Sequence, residues 1–259
     1  MGNIDGNQVA TLEELARKHP YRLVFATISG AHLYGFPSAD SDFDMRGVHC
    51  LRAEQLFGLN RSDETIEIDS IENGMEMDIV SHDAGKFLQL LLKRNGYVLE
   101  QLFSPLIIST NQWHTSLMEL AQGCITRNHY HHYRGFAFNQ WSLMTRESEP
   151  RLKPLLYFYR VVLTGIHLMK SGQIEANLEK LNGEYHLPGI SELIQRKREG
   201  REKEPLTHKE IKFHTSVHES VLEQLDVAFS ESRLPEMPSQ KTWDKLNDWL
   251  IQLRLDTLK

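Results

Sequence analysis

The sequence predicts an α+β protein: an N-terminal sheet with flanking helices over residues 1–110, then a helical bundle over residues 111–259. Three observations carry this. Strand-like runs alternate with short helical patterns up to about residue 110. Two alternating runs, Thr65–Ile71 and Met75–Val80, flank Asn73-Gly74, the strongest short-range hairpin signal. Beyond Asn111 the apolar residues recur almost wholly at helical spacing. A chain of 259 residues, 40% hydrophobic, can bury a substantial core.

Taken in order, Thr11-Leu-Glu-Glu14 has the form of a capping box opening a short helix that ends near Lys18, before Pro20. Tyr21 to Ile28 is a strand by its β-branched and aromatic content. Residues 31–35 form a helical turn, and Asp42 to Leu51 a second strand. A two-residue turn at Asn73-Gly74 sets Glu72 against Met75 and Asp69 against Asp78, two like charges that oppose each other. Ser81-His-Asp83 caps a helix from Ala84 to Lys93, and Tyr97–Phe103 adds a further turn. Helices follow at 113–123, 127–146, 151–171, 189–199, 207–230 and 240–255.

The stretch Ser29 to Gly47, SGAHLYGFPSADSDFDMRG, is the candidate for chemistry. Ser29-Gly30-Ala31 are small residues that let a backbone approach a ligand. On a strand, Asp42 and Asp44 share a face while Phe43 and Met45 turn to the other. Two carboxylates that close repel unless a cation lies between them, and hard oxygen donors of this kind suit Mg2+. Asp-x-Asp alone fits equally a solvated pair at a strand's entry.

Gly30-Ala-His-Leu-Tyr-Gly35 followed by Ser38-Ala-Asp-Ser-Asp-Phe-Asp-Met-Arg-Gly47 resembles the DNA polymerase β-type nucleotidyltransferases, and within them the predicted nucleotidyltransferases associated with RNA ligases. The likeness is close over residues 23–50, and Ala31 departs from the serine usual there. The resemblance implies a polymerase β-like sheet and transfer of a nucleoside monophosphate from an NTP to an acceptor hydroxyl. Asp42 and Asp44, with a third acid on a later strand, would hold two Mg2+ ions, with Mn2+ as a substitute. Asp78 is the expected third ligand, with Asp69 and Glu76 as rivals. Ser29, Gly30, Ala31 and Ser41 are the expected nucleotide-binding residues of the loop.

Lys153, Tyr157, Arg160, Thr164 and His167 form one polar stripe on an otherwise apolar helix, so the stripe must find partners or line a cleft. Lys153 and Arg160 suit a triphosphate as point charge and bidentate fork. The resemblance implies that they and Tyr157 contact the nucleotide while the helical portion closes the cleft. His129 and His132 stand three apart, half of a metal site without a second half. Arg196-Lys-Arg198 with Arg201 and Lys203 reads as a salt-bridged helix end or as an RNA-contacting patch.

A net charge of −6 gives no general attraction for nucleic acid, so an RNA or protein acceptor needs a local surface. Cys50 and Cys124 fit a reduced, cytoplasmic setting, and no run approaches the ~20 apolar residues that span a bilayer. A nucleotide- or RNA-binding protein without turnover, and a metal-dependent phosphohydrolase, are the competing functional expectations. Neither the acceptor nor the oligomeric state is written in the sequence.

Overall fold

The computed structural model describes residues 4–59, 62–200 and 205–258. Contacts divide the chain into two compact units whose segments interleave. The first comprises the chain up to Leu33, Asp42–Cys124 and the chain from Pro238 onward; the second comprises Tyr34–Ser41 and Ile125–Met237. The expected division at residue 110 therefore shifts to Cys124, and the last helix belongs with the sheet.

The first unit is built on a mixed five-stranded sheet of β1 (Arg22–Ile28), β2 (Phe43–Cys50), β3 (Thr65–Glu72), β4 (Met75–Asp83) and β5 (Ile107–Ser109). Their order is β3-β4-β2-β1-β5. Only β2 and β4 run parallel; the other pairs are antiparallel. The hairpin register is the expected one, with Glu72 opposite Met75 and Asp69 opposite Asp78. Its turn has φ of 53° at Asn73 and 78° at Gly74, the left-handed pair that a type I′ turn requires.

Helix α1 (Gly6–Lys18) starts earlier than the Thr11 box suggests. Asp5 is the cap, accepting from the amides of Asn7 and Gln8, while Gln8 reaches back to the Asp5 amide. Thr11 sits inside the helix and donates to Asn7 O at 3.1 Å. Among the described residues five more α-helices of this unit precede Cys124: α2 (Gly30–Tyr34, whose last residue belongs to the other unit), α3 (Ala53–Phe57), α4 (Ala84–Leu92), α5 (Gly96–Leu102) and α6 (Gln112–Ala121). Asp83 ends β4 and caps α4 by accepting from the Gly85 amide at 2.9 Å.

The second unit contains α7 (Tyr130–Arg146), α8 (Leu152–Ser171), α9 (Leu178–Tyr185), α10 (Ile190–Glu199) and α11 (His208–Glu231). Helix α8 is its centre, with fifteen of its residues buried, and ends at Gly172 in the left-handed region at φ 71°. Helix α9 carries no strong apolar period and was not expected. The Asn177 cap at its start receives the Lys180 amide.

Helix α12 (Gln240–Thr257) returns to the first unit because its partners are there. Leu246, Trp249 and Leu253 are buried, the Trp249 indole donates to Ser116, and Arg254 donates to both Asp83 oxygens. Burial pushes the Asp83 carboxyl up, but Arg254 and the amides of Leu51 and Gly85 outweigh it and hold it below the usual range. A spacing pattern shows that α12 has an apolar face. It cannot show which core that face joins.

One face of β2 and β4 packs a polar cluster into this core. Ser81 Oγ lies 2.9 Å from both His19 Nε2 and His49 Nδ1, and Tyr21 stacks on His49 at 4.9 Å between centroids. His49 is fully buried, and burial, aided by the nearby His19, pushes its pKa down from 6.5 to about 4. Since the folded state binds this proton later than the unfolded chain, the stabilisation is complete above pH 6.5 and is lost as pH falls toward 4. Thermal melts across that window should show stability falling by up to about 1.4 kcal/mol per pH unit from this group. In His49→Gln the slope should flatten by close to one proton; an unchanged slope would assign the acid sensitivity elsewhere.

Candidate functional site

The opposite face of β2 and β4 carries the predicted carboxylates. Asp44 and Asp78 are direct neighbours in the parallel ladder, and Asp69 is the next in line on β3. Three like charges in a row across three strands would repel, yet the chain inserts one cation among them. Arg46 Nη2 donates to Asp44 Oδ1 at 2.6 Å and to Asp78 Oδ2 at 2.7 Å. Its Nη1 donates to the carbonyls of Asp78 at 2.8 Å and Met45 at 3.0 Å. Burial opposes the charge on Arg46, but Tyr97, Asp44 and Asp78 more than offset it, and the guanidinium is held above its ordinary pKa.

The loop after β1 is shaped around Asp44. The Ser29 amide donates to Asp44 O at 2.8 Å, continuing the ladder by one bond. Gly30 follows at φ +60°, and a Cβ there would overlap the Asp44 carboxylate. Glycine is thus required twice at this position, by conformation and by space. Ser29 Oγ is fully buried with no hydrogen-bond partner among the described residues, and Ala31 is buried beside it. His32 stacks on Phe43 at 4.1 Å and holds the short helix α2 to the start of β2.

Asp42 is exposed at the entry to β2 and shares with Asp78 a cleft of about 440 Å³, whose lining also includes Asp69 and Glu76. Asp42, Asp69, Glu76 and Asp78 therefore open on one cleft, and Asp78 is distinguished from its rivals by its pairing with Asp44. Among the described residues no three His, Cys, Asp or Glu side chains are gathered as a ready metal-ligand set. The donor chemistry nonetheless suits a hard cation: two carboxylates from adjacent strands already share one positive group, and a third opens beside them. Arg46 was not foreseen as part of the site. The Asp-Met-Arg spacing was its one available signal, since positions two apart on a strand share a face.

The remaining candidates lie in the second unit. Ser41 closes a turn, its Oγ accepting from the Ser38 amide at 3.0 Å. Arg160, expected as a phosphate fork, is fully buried with its guanidinium 3.9 Å from the Tyr34 ring centroid and 5.6 Å from that of Phe136. Its place is that of a cation on aromatic faces inside a helical core. Tyr157 packs edge-on against Tyr34 and Phe36, and Lys153 lies 5.9 Å from the Tyr157 ring. The basic run is engaged internally as well. Arg196 pairs with Glu210, Lys197 is fully buried and donates to Ser38 Oγ at 2.7 Å, and Arg198 holds Gly35 O and Glu179. Arg201 and Lys203 lie outside the described residues. His129 is buried in the Thr126 turn and His132 beside Phe136, so neither begins a zinc site.

A mixed sheet with a strand–short helix–strand unit and carboxylates on neighbouring strands defines the class of DNA polymerase β-type nucleotidyltransferase folds. Residues 4–252 match the model of a single family in that class, and the chain belongs to it: RlaP, the RNA repair pathway DNA polymerase beta family. An uncharacterized protein of Methanocaldococcus jannaschii is 36% identical over 155 residues, covering 60% of this chain and 63% of its own length. The chain thus spans somewhat less than two thirds of that relative. The uncharacterized protein YcgL of Bacillus subtilis is 26% identical over 201 residues, covering 74% of this chain and 75% of YcgL. A nucleotidyltransferase-like protein from Exiguobacterium sibiricum aligns with 96% of this chain and 77% of its own at 11% identity and a TM-score of 0.33. Among the described residues no helix is long and apolar enough to cross a membrane.

Gly30→Ala should force Asp44 or the loop to move. The left-handed φ alone costs on the order of 1–2 kcal/mol, and the overlap adds to it. Chemical denaturation should show at least that loss, whereas Gly74→Ala, at an equally left-handed turn with open space around it, should lose only the conformational part. Equal losses would remove the steric role assigned to Asp44.

Proposed function

We propose that this protein is a metal-dependent nucleotidyltransferase that moves a nucleoside monophosphate from an NTP to an acceptor hydroxyl and releases pyrophosphate. The observation that carries the proposal is the pairing of Asp44 with Asp78 across adjacent parallel strands, beside the exposed Asp42 and against the Gly30 turn. Membership of a polymerase β-type family supports it.

Asp42, Asp44 and Asp78 would hold the Mg2+ ions, or Mn2+ in their place. Metal there supplies charge neutralisation for the triphosphate and acidifies the acceptor hydroxyl. The carboxylates would set where the α-phosphorus lies, and Asp78, whose side chain is more exposed than that of Asp44, would receive the acceptor's proton. The Ser29-Gly30-Ala31 loop would orient the β- and γ-phosphates through backbone N–H groups, and the buried Ser29 hydroxyl, unpartnered among the described residues, would substitute for the family's usual serine at position 31. Attack at the α-phosphorus expels pyrophosphate in line, without a covalent enzyme intermediate. The RNA repair pathway in the family's description puts RNA ends first among acceptors, ahead of protein or small-molecule hydroxyls. ATP is the first donor to try.

Incubation with labelled NTPs, Mg2+ and separate pools of RNA, protein and metabolites should label one pool with release of pyrophosphate. Asp42→Asn should lower that transfer by about a thousandfold, the scale of a lost charge-stabilising group, with an unchanged circular dichroism spectrum. Full activity in the variant would overturn the assignment. Mg-NTP binding without turnover in the parent would make the protein a binding module, and release of phosphate to water a phosphohydrolase.

A further inference from the structure

The oxygens that would receive a cation already hold one. Arg46 Nη2 occupies Asp44 Oδ1 and Asp78 Oδ2 together, and the Arg46 side chain is only 10% exposed. The other Asp44 oxygen lies where a Cβ on residue 30 would fall, and the Asp44 side chain is 20% exposed. Each N–H takes only one of a carboxylate's lone pairs, but it sets a positive charge against the oxygens that a divalent ion would approach.

We propose that Arg46 is an internal counter-cation that competes with divalent metal for Asp44 and Asp78, so that metal alone binds weakly and binds more tightly once the guanidinium is drawn off the carboxylates. This rests on the metal role assigned above to those aspartates. The guanidinium is a rigid plane, so Nη2 leaves the carboxylates only if the whole group swings and the Nη1 bonds to the Asp78 and Met45 carbonyls are given up with it. An arriving triphosphate supplies oxygens to which the freed Nη2 can donate. Asp42, Asp44 and Asp78 bring three negative charges and Arg46 cancels one, so its charge also sets the pull on a cation. A merely structural arginine would act in the opposite direction, because its loss would disorder the ligands and weaken metal binding.

The test is Mn2+ binding to the full chain without nucleotide, read from the electron paramagnetic resonance of the free ion, with thermal melts in EDTA. Arg46→Gln should tighten Mn2+ by about tenfold or more, since the carboxylates lose a bound charge. In EDTA it should melt roughly 5–10 °C lower, and Mn2+ should restore the difference. Arg46→Lys keeps the charge without the fork and should tighten Mn2+ by less than Arg46→Gln does. Should the Gln variant fail to fold, the Lys variant alone decides: about threefold tightening supports competition and an unchanged Kd overturns it. Equal or weaker binding in Arg46→Gln, while Asp78→Asn abolishes Mn2+ binding, overturns the counter-cation and leaves the metal site standing. Parent-like Mn2+ binding in both Asp42→Asn and Asp78→Asn overturns the metal site and this inference with it.

Discussion

The ion triad of Asp44, Arg46 and Asp78 is the constraint around which the first unit is arranged. The apolar faces of β2 and β4 fix the strand register, and a one-residue slip would turn every side chain over. Once that register is fixed, Asp44 and Asp78 must face each other, with Asp69 in the same row. The sequence answers the repulsion two residues downstream on the same strand, so the counter-charge is delivered by the register that creates the need for it. Gly30 provides the space in which the Asp44 carboxylate rests.

The two faces of these strands carry opposite solutions to burying polar groups. Toward the core, Ser81 links His19 and His49, whose Nε2 is buried without a partner among the described residues, and Asp83 is matched by Arg254 from α12. Toward the cleft, charge is balanced only in part, leaving Asp42 exposed beside the half-buried Asp78. A hydrogen-bonded network rigidifies a sheet, and an incompletely balanced set of charges keeps some attraction for cations. In the second unit, the stripe on α8 follows the rule that a buried polar side chain must find a partner only in part, since the buried Thr164 hydroxyl has none among the described residues. Arg160 finds aromatic rings, and His167 finds Glu184 and Tyr185.

What was legible in the sequence was largely local. Asn73-Gly74 fixed the turn type, and counting outward from it placed Asp69 opposite Asp78. Alternation identified β3 and β4, and helical periodicity identified most of the helices, α3 and α9 apart, while the short strand β5 was not expected. Two kinds of information were missing. Competition between nearby caps is one: Thr11 and Asp5 each head a plausible box, and only packing decides that the helix begins at Gly6. Long-range partnership is the other. Nothing within α12 names Asp83, and nothing within the basic run names Ser38, Gly35 or Glu210. Arg46 was visible in the motif, but its role follows from the neighbour that a parallel pairing supplies.

The interleaved order of segments bears on how the molecule is made. The sheet's strands leave the ribosome before helices α7 to α11, yet the helix that neutralises Asp83 and covers Ser116 leaves after them. Throughout translation of the intervening helices, a buried carboxylate and an apolar surface therefore wait for their partners, a nascent species of the kind that recruits chaperones. The helical unit, by contrast, has both of its segments in hand before α12 emerges.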